Sequence, residues 1–348
     1  MTDQISLAAT QAASFVASLF EHAGLPRPAA VTMGRAMVDA DVAGLPSHGL
    51  SQVEMYIRRL KLGSVSTIIE PVLVESRAAT AVLDAQGMFG HLAADHAMQL
   101  AIDRAHAFGA GVVAVRNSFH FGAAGRYTQQ ASDRDCIGIA MCNTKPMMPA
   151  PGGLEKLVGN NPLSIGLPVA EGPDFLLDMA LSEAALGKIR VYERDGKPLP
   201  PTWAVDRDGE PTTDAKAAID GMLLPSGGAK GFGLSLAINL MSSLLANGPG
   251  GEDVAPLYGD LARPFLCSLL IIAIDIGHFR PAAEFRAAAG HELAKVRRSK
   301  SRGDAPRTPG ERSATLRQRG GGTIRIPAAL ADHLNRLAGE VGASERLG

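Results

Sequence analysis

Apolar residues recur at helical spacing along much of this chain and crowd into short unbroken runs elsewhere, and the two patterns predict different elements. Phe15, Val16 and Leu19 mark one face of a helix over residues 5–23 that Gly24 ends, and a second helix over 28–43 leads into Pro46-Ser47-His48-Gly49. After that tetrapeptide Leu50, Val53, Ile57 and Leu60 repeat at helical spacing, with Ser47 as N-cap and Gly63 closing the run. Further helices are predicted over 91–108, 182–188, 232–245, 282–296 and 328–337. Strands are predicted over 79–83, 112–115, 137–141, 164–167, 175–179, 265–274 and 324–327.

Polar stretches separate these elements. Residues 197–214 form a Pro-rich excursion holding the single Trp, Trp203; residues 247–259 turn to Gly, Pro and acids, which predicts a flexible loop. Residues 297–319 are polar and rich in Arg, and serve equally as a solvated loop or as a source of groups for a cofactor phosphate. No internal repeat is visible.

Composition narrows the function. A chain of 348 residues with 46% hydrophobic and 20% charged residues suits a soluble protein of two domains or one elaborated domain. Its net charge of -1 provides no field to draw nucleic acid or a membrane surface, so a small-molecule substrate is expected. Cys136, Cys142 and Cys267 lack C-x-x-C spacing and are odd in number, which argues for a reducing, cytoplasmic setting and against a metal or disulfide framework. The N-terminus has no secretory pattern, and the most apolar stretch, 265–274, is far shorter than the roughly 20 residues that cross a bilayer.

Candidate chemistry begins at His48. At a helix start, free N–H groups and the helix dipole favour a bound carboxylate and lower the imidazole pKa, which makes a general base for a hydroxyl; the plain alternative is a histidine that caps a helix. The strand over 112–115 runs into Asn117-Ser118-Phe119-His120-Phe121-Gly122-Ala123-Ala124-Gly125, where small side chains let backbone amides approach an anion. Familiar signatures are missing: there is no G-x-G-x-x-G, no P-loop around Gly187-Lys188, no H-E-x-x-H at His291 and no G-x-S-x-G.

Taken in order, Asp41 to Gly49 with Tyr56, Ser118 to Gly125, Gly159 to Pro162, Leu177 to Ala180, Gly187-Lys188-Ile189, Leu224 to Gly233 and Pro309 to Arg312 resemble the malate/L-lactate dehydrogenase family. That family also includes ureidoglycolate dehydrogenase and the cyclic imino acid reductases, and is unrelated to the Rossmann-fold lactate dehydrogenases. The resemblance implies an α/β fold of non-Rossmann type: a central NAD(P)-binding domain with a largely antiparallel sheet at 116–264, and a helical region for substrate and dimerisation from 1–115 with 265–348. It implies a homodimer and NAD or NADP as cofactor.

The same resemblance implies His48 as proton donor or acceptor with Ser47 beside it, His120 as the rival base, and Lys188 as a further catalytic position. It implies Gln52, Tyr56 and Asn160 as substrate contacts. It implies that His120, Phe121, Gly122, Ala123, Ala124, Thr144, Asp178, Met179, Ala180, Lys230, Gly310, Glu311 and Arg312 hold the cofactor. Many members carry Arg where this chain has Gln52, which donates hydrogen bonds without charge. Lys188 matches the hydroxy-acid branch, whereas the imine reductases carry an acid there. The expected reaction is hydride transfer at C2 of a small 2-hydroxy acid such as malate or lactate. Reduction of a cyclic imino acid and dinucleotide binding without turnover are the alternatives.

Overall fold

The computed structural model describes residues 3–348, the Arg194 side chain excepted. Its centre is a seven-stranded sheet in the spatial order Val72–Arg77, Thr80–Asp84, Ala110–Ser118, Cys267–Asp275, Cys136–Cys142, Leu163–Leu167 and Phe175–Met179. Only Thr80–Asp84 and Ala110–Ser118 run parallel; every other neighbouring pair is antiparallel. The sheet is therefore largely antiparallel, and it takes strands from both of the segments expected to form separate domains.

Cys267–Asp275 sits centrally and is apolar along most of its length because both of its faces are covered. Leu269, Ile271 and Ala273 join Val113, Val115 and Ala140 in a core shared with the Ala-rich helix Gly90–Phe108, while Leu270 joins Ala114, Met141 and Ile238 in a second core. The period of two that alternates these residues between faces is the pleat of the strand itself. Each fully buried Leu or Ile contributes about 1.5–3 kcal/mol relative to an exposed one.

The termini close on each other. Gln4–Ala8 is a strand, paired antiparallel with Thr323–Pro327 so that Ile5 lies opposite Ile326 and Leu7 opposite Ile324. The helix expected from residue 5 therefore starts only at Ala9 and runs to His22. The alternation of Ile5 and Leu7 is too short to announce a strand without the partner from the far end of the chain. Residues 311–320, expected within a polar loop, form a helix. Ala229–Ala246 is long and apolar enough, by length and composition alone, to cross a membrane. One face of it packs inward through Ser235, Ile238, Ser242 and Ala246, and the other leaves Leu240, Leu244 and Leu245 exposed.

Candidate active site

Ser47 and His48 do not begin an α-helix. Pro46–His48 and Leu50–Gln52 are two short 3-10 turns, and the α-helix starts at Val53 and ends at Lys61. The Ser47 hydroxyl makes no cap; it lies 3.0 Å from His48 Nδ1. The helix-dipole account of His48 fails accordingly. Burial alone lowers its pKa below the usual 6.5.

What holds this turn is Asp41, from the last turns of the helix Arg27–Val42. Its Oδ2 accepts the Leu50 N–H at 2.7 Å. Gly49 permits the approach, since a Cβ there would stand 2.2 Å from the carboxylate. Burial pushes the Asp41 carboxyl up to about 7, against the Leu50 N–H that pulls it down.

His120 faces His48 across the cleft, the rings stacked at 5.8 Å and 18°. Tyr56, fully buried, places its hydroxyl 2.5 Å from His120 Nδ1. Burial holds the Tyr56 phenol far above its usual pKa, so it keeps its proton. If His120 donated in this pair, the buried phenol hydrogen would lose its acceptor, so Tyr56 donates and the His120 proton resides on Nε2. His120 thus presents a donor to the cleft. Burial, and the neighbouring His48, lower its pKa to about 3.

Gly187 lies against Ser47, a built Cβ being 3.7 Å from the Ser47 Cβ. Gly187-Lys188 opens the helix Leu186–Arg194 and does not end one, so the helix N-terminus near His48 belongs to this element. Lys188 rests its ammonium over the Trp203 ring at 4.3 Å, and Arg190 lies over Tyr258 at 5.0 Å. Tyr258 in turn donates to Gln52 Oε1 at 2.9 Å, which leaves the Gln52 amide N–H groups for a ligand. Neither Arg190 nor Tyr258 was legible in the sequence: Arg190 lies just past Gly187-Lys188-Ile189, and Tyr258 sits in a loop without a motif.

The cofactor candidates fall in three places. The strand Ala110–Ser118 runs into the loop 119–124 and then the helix Gly125–Ser132. Among the described residues, the backbone N–H groups of His120, Phe121, Gly122, Ala123 and Ala124 donate to no protein group. His91 beneath them is buried with Nδ1 unpartnered. Unpaired donors at this density fit an anionic dinucleotide. Asp178 accepts the Gly125 N–H at 2.8 Å, so it caps this helix; burial of the carboxyl raises its pKa, against the Gly125 N–H, although part of the residue stays exposed. Met179 and Ala180 continue from it toward Leu181, whose N–H reaches Asn160 O.

Thr144 donates to Asn160 Oδ1 at 3.1 Å, and among the described residues no hydrogen bond joins this pair to His48. Lys230 is exposed in the first turn of Ala229–Ala246, beside a groove of 280 Å³ lined in part by Gly152, Gly153, Pro225 and Gly228. Pro309 O accepts the Leu176 N–H, which docks Gly310 to Arg312 on the strand that carries Asp178. Glu311 is committed to Arg297 and the Thr308 N–H, so it fixes this segment, while Arg312 stays exposed.

Gly122 adopts φ +73°, and a Cβ there would come within 2.4 Å of His91 Nε2. Gly122→Ala should therefore displace the loop or the ring, costing about 1–3 kcal/mol of stability and weakening NADH or NADPH about tenfold to a hundredfold. Fluorescence titration and urea unfolding read the two effects, and unchanged cofactor affinity removes this loop from the cofactor site.

The sequence profile of malate/L-lactate dehydrogenase matches residues 7–335. L-sulfolactate dehydrogenase of Methanocaldococcus jannaschii is 36% identical over 323 residues, 92% of each chain. Malate dehydrogenase of Pyrococcus abyssi is 33% identical over 340 residues, 94% of this chain and 93% of that one. The crystal structure of malate dehydrogenase from Entamoeba histolytica superimposes with a TM-score of 0.93 at 28% identity, covering 99% of this chain and all of the other. The chain belongs to the malate/L-lactate dehydrogenase family, and is an NAD(P)-dependent oxidoreductase that acts on a 2-hydroxy or 2-oxo acid by hydride transfer at C2.

Proposed function

We propose that this protein interconverts a small 2-hydroxy acid carrying a second anionic group, of malate or sulfolactate type, with its 2-oxo acid. The observation that carries the reading is the helix Leu186–Arg194, whose start lies against Ser47 and whose Arg190 reaches Tyr258 and so the Gln52 side of the cleft. One helix thereby offers free N–H groups to a C1 carboxylate and a guanidinium to a second anion. Arg190 supplies the charge that Gln52 lacks.

His48 takes the substrate hydroxyl proton while Ser47, at its Nδ1, steadies the imidazolium. His120 donates from Nε2 to the same oxygen, held in that tautomer by Tyr56. The bound nicotinamide supplies the hydride acceptor, or the donor in reverse. The unpaired N–H groups of residues 120–124 would hold its phosphates, with Arg312 a cation on the segment docked beside Asp178. The relatives include an enzyme named for NAD(+) and one named for NADP(+), and both cofactors are proposed here.

The exposed Leu240, Leu244 and Leu245 stripe supports a homodimer, and three free, buried cysteines support a cytoplasmic setting.

The test is oxidation of NADH and NADPH by the purified protein with oxaloacetate, pyruvate and Δ1-piperideine-2-carboxylate. Oxaloacetate should react faster than pyruvate, and Arg190→Met should lower kcat/KM for oxaloacetate at least about tenfold while sparing pyruvate. Preference for the imine moves the protein to the imino acid branch. Cofactor binding without turnover on any of the three makes it a non-catalytic member.

A further inference from the structure

At the end of the sheet remote from His48, three potential ligands meet. His106 comes from the last turn of the helix Gly90–Phe108, Cys136 from the start of Cys136–Cys142, and Asp275 from the end of Cys267–Asp275. One imidazole nitrogen, the thiol sulfur and one carboxylate oxygen all lie within 4.8 Å of one another. His106 Nε2 is 4.0 Å from the Cys136 sulfur, and its Nδ1 is 3.9 Å from Asp275 Oδ2.

These two separations are to different imidazole nitrogens, only one of which binds an ion. The distance that bears on a site is the 4.8 Å within which one nitrogen, the sulfur and one carboxylate oxygen lie. A tetrahedral zinc site has edges of about 3.3–3.7 Å, so the side chains would draw in by up to about 1 Å. His106 is half exposed at the open side and has room to close the difference, whereas Cys136 is buried behind it. Asp275 is already oriented: Oδ1 accepts the Gly277 N–H at 2.9 Å, and His278 Nδ1 meets Oδ2 at 2.7 Å. An ordered carboxylate with an outer histidine, beside an imidazole and a thiol, is a donor set suited to a borderline-soft cation.

We propose that His106, Cys136 and Asp275 bind a zinc-class divalent cation, with His278 holding Asp275 in place and water completing the shell. Uptake displaces the Cys136 thiol proton to solvent, and no redox step is involved. The ion joins the ends of one helix and two strands, so its role is to brace this edge of the sheet. Asp275 lies opposite Cys136, and Cys267 at the other end of the same strand lies opposite Ser118, which leads to His120. A nine-residue strand separates the two ends by about 26 Å, so the ion takes no part in the hydride step. The residues are 30 and 139 positions apart in sequence, which is why no ligand spacing announced them.

The experiment uses the full-length protein, free of any affinity tag and stripped with chelator, titrated with Co²⁺ and then with Zn²⁺. One equivalent of Co²⁺ should bind with a thiolate-to-cobalt charge-transfer band, which Zn²⁺ removes, and Zn²⁺ should raise Tm. Cys136→Ser and the half-exposed His106→Gln should abolish the band, while His278→Ala should weaken binding about tenfold. Circular dichroism verifies that each variant is folded. Absence of a stoichiometric band in the wild-type protein overturns the proposal, and so does wild-type cation uptake by either ligand variant.

Discussion

His48→Ala should lower kcat by about 10²–10⁴-fold, the range of a lost general acid or base, while His120→Ala should leave proton transfer in place and act chiefly on orientation. The sequence left the two histidines as rivals, and their hydrogen-bond partners support the roles proposed here. His120 receives the Tyr56 proton at Nδ1, so its cleft-facing nitrogen carries hydrogen and cannot accept more. Among the described residues the His48 ring hydrogen-bonds only with the Ser47 hydroxyl, at Nδ1, which serves as donor or acceptor and leaves the other nitrogen to take a proton.

The pH profile gives an independent reading. A base works unprotonated, so kcat/KM for hydroxy-acid oxidation should fall as pH drops through the pKa of the group responsible. For His48 that lies below the ordinary 6.5, and for His120 at about 3. Steady-state rates of both variants, with a profile from pH 4 upward, decide the matter. Near-normal turnover in His48→Ala with none in His120→Ala, or a profile with no acid limb down to pH 4, would reverse the assignment.

Elements whose pattern is local were legible in the sequence. Phe175–Met179 is found where it was expected, and the apolar run before Asp275 is the central strand because both faces of that strand are covered. The Gln4–Ala8 strand was missed because its hydrogen-bond partner lies more than 300 residues away. At the site, Ser47, His48 and His120 were visible as residue types, and the reason for the His48 shift was not. Ser47 has the chemistry of an N-cap, and only the fold shows that Asp41 takes the Leu50 N–H and that Pro46–His48 is a separate turn. Arg190 carried no signal at all, since its meaning depends on Tyr258, 68 residues further on.

Asp41→Asn should stabilise the protein above neutral pH and have little effect in acid. The native carboxyl is raised from 3.8 to about 7, so between those values the folded state binds more proton than the unfolded state. Stability contributed by this group is complete below pH 3.8 and is lost as pH rises through 7. Three units at about 1.4 kcal/mol each set an upper bound of about 4 kcal/mol, all of it spared in a side chain that does not ionise. Asparagine keeps an oxygen for the Leu50 N–H, so the turn that carries His48 survives. Asp41→Ala is spared the same penalty but removes that acceptor, so it should lie about 1–3 kcal/mol below Asp41→Asn at every pH. Urea unfolding of the three proteins at pH 4.5 and 8.5 supplies the comparison; an Asp41→Asn effect of equal size at both values would mean that the carboxyl is ionised throughout. A half-buried acid that resists ionisation is the cost of placing His48 on a turn with no helix of its own, because the acceptor that fixes Leu50 has to lie where Gly49 leaves room.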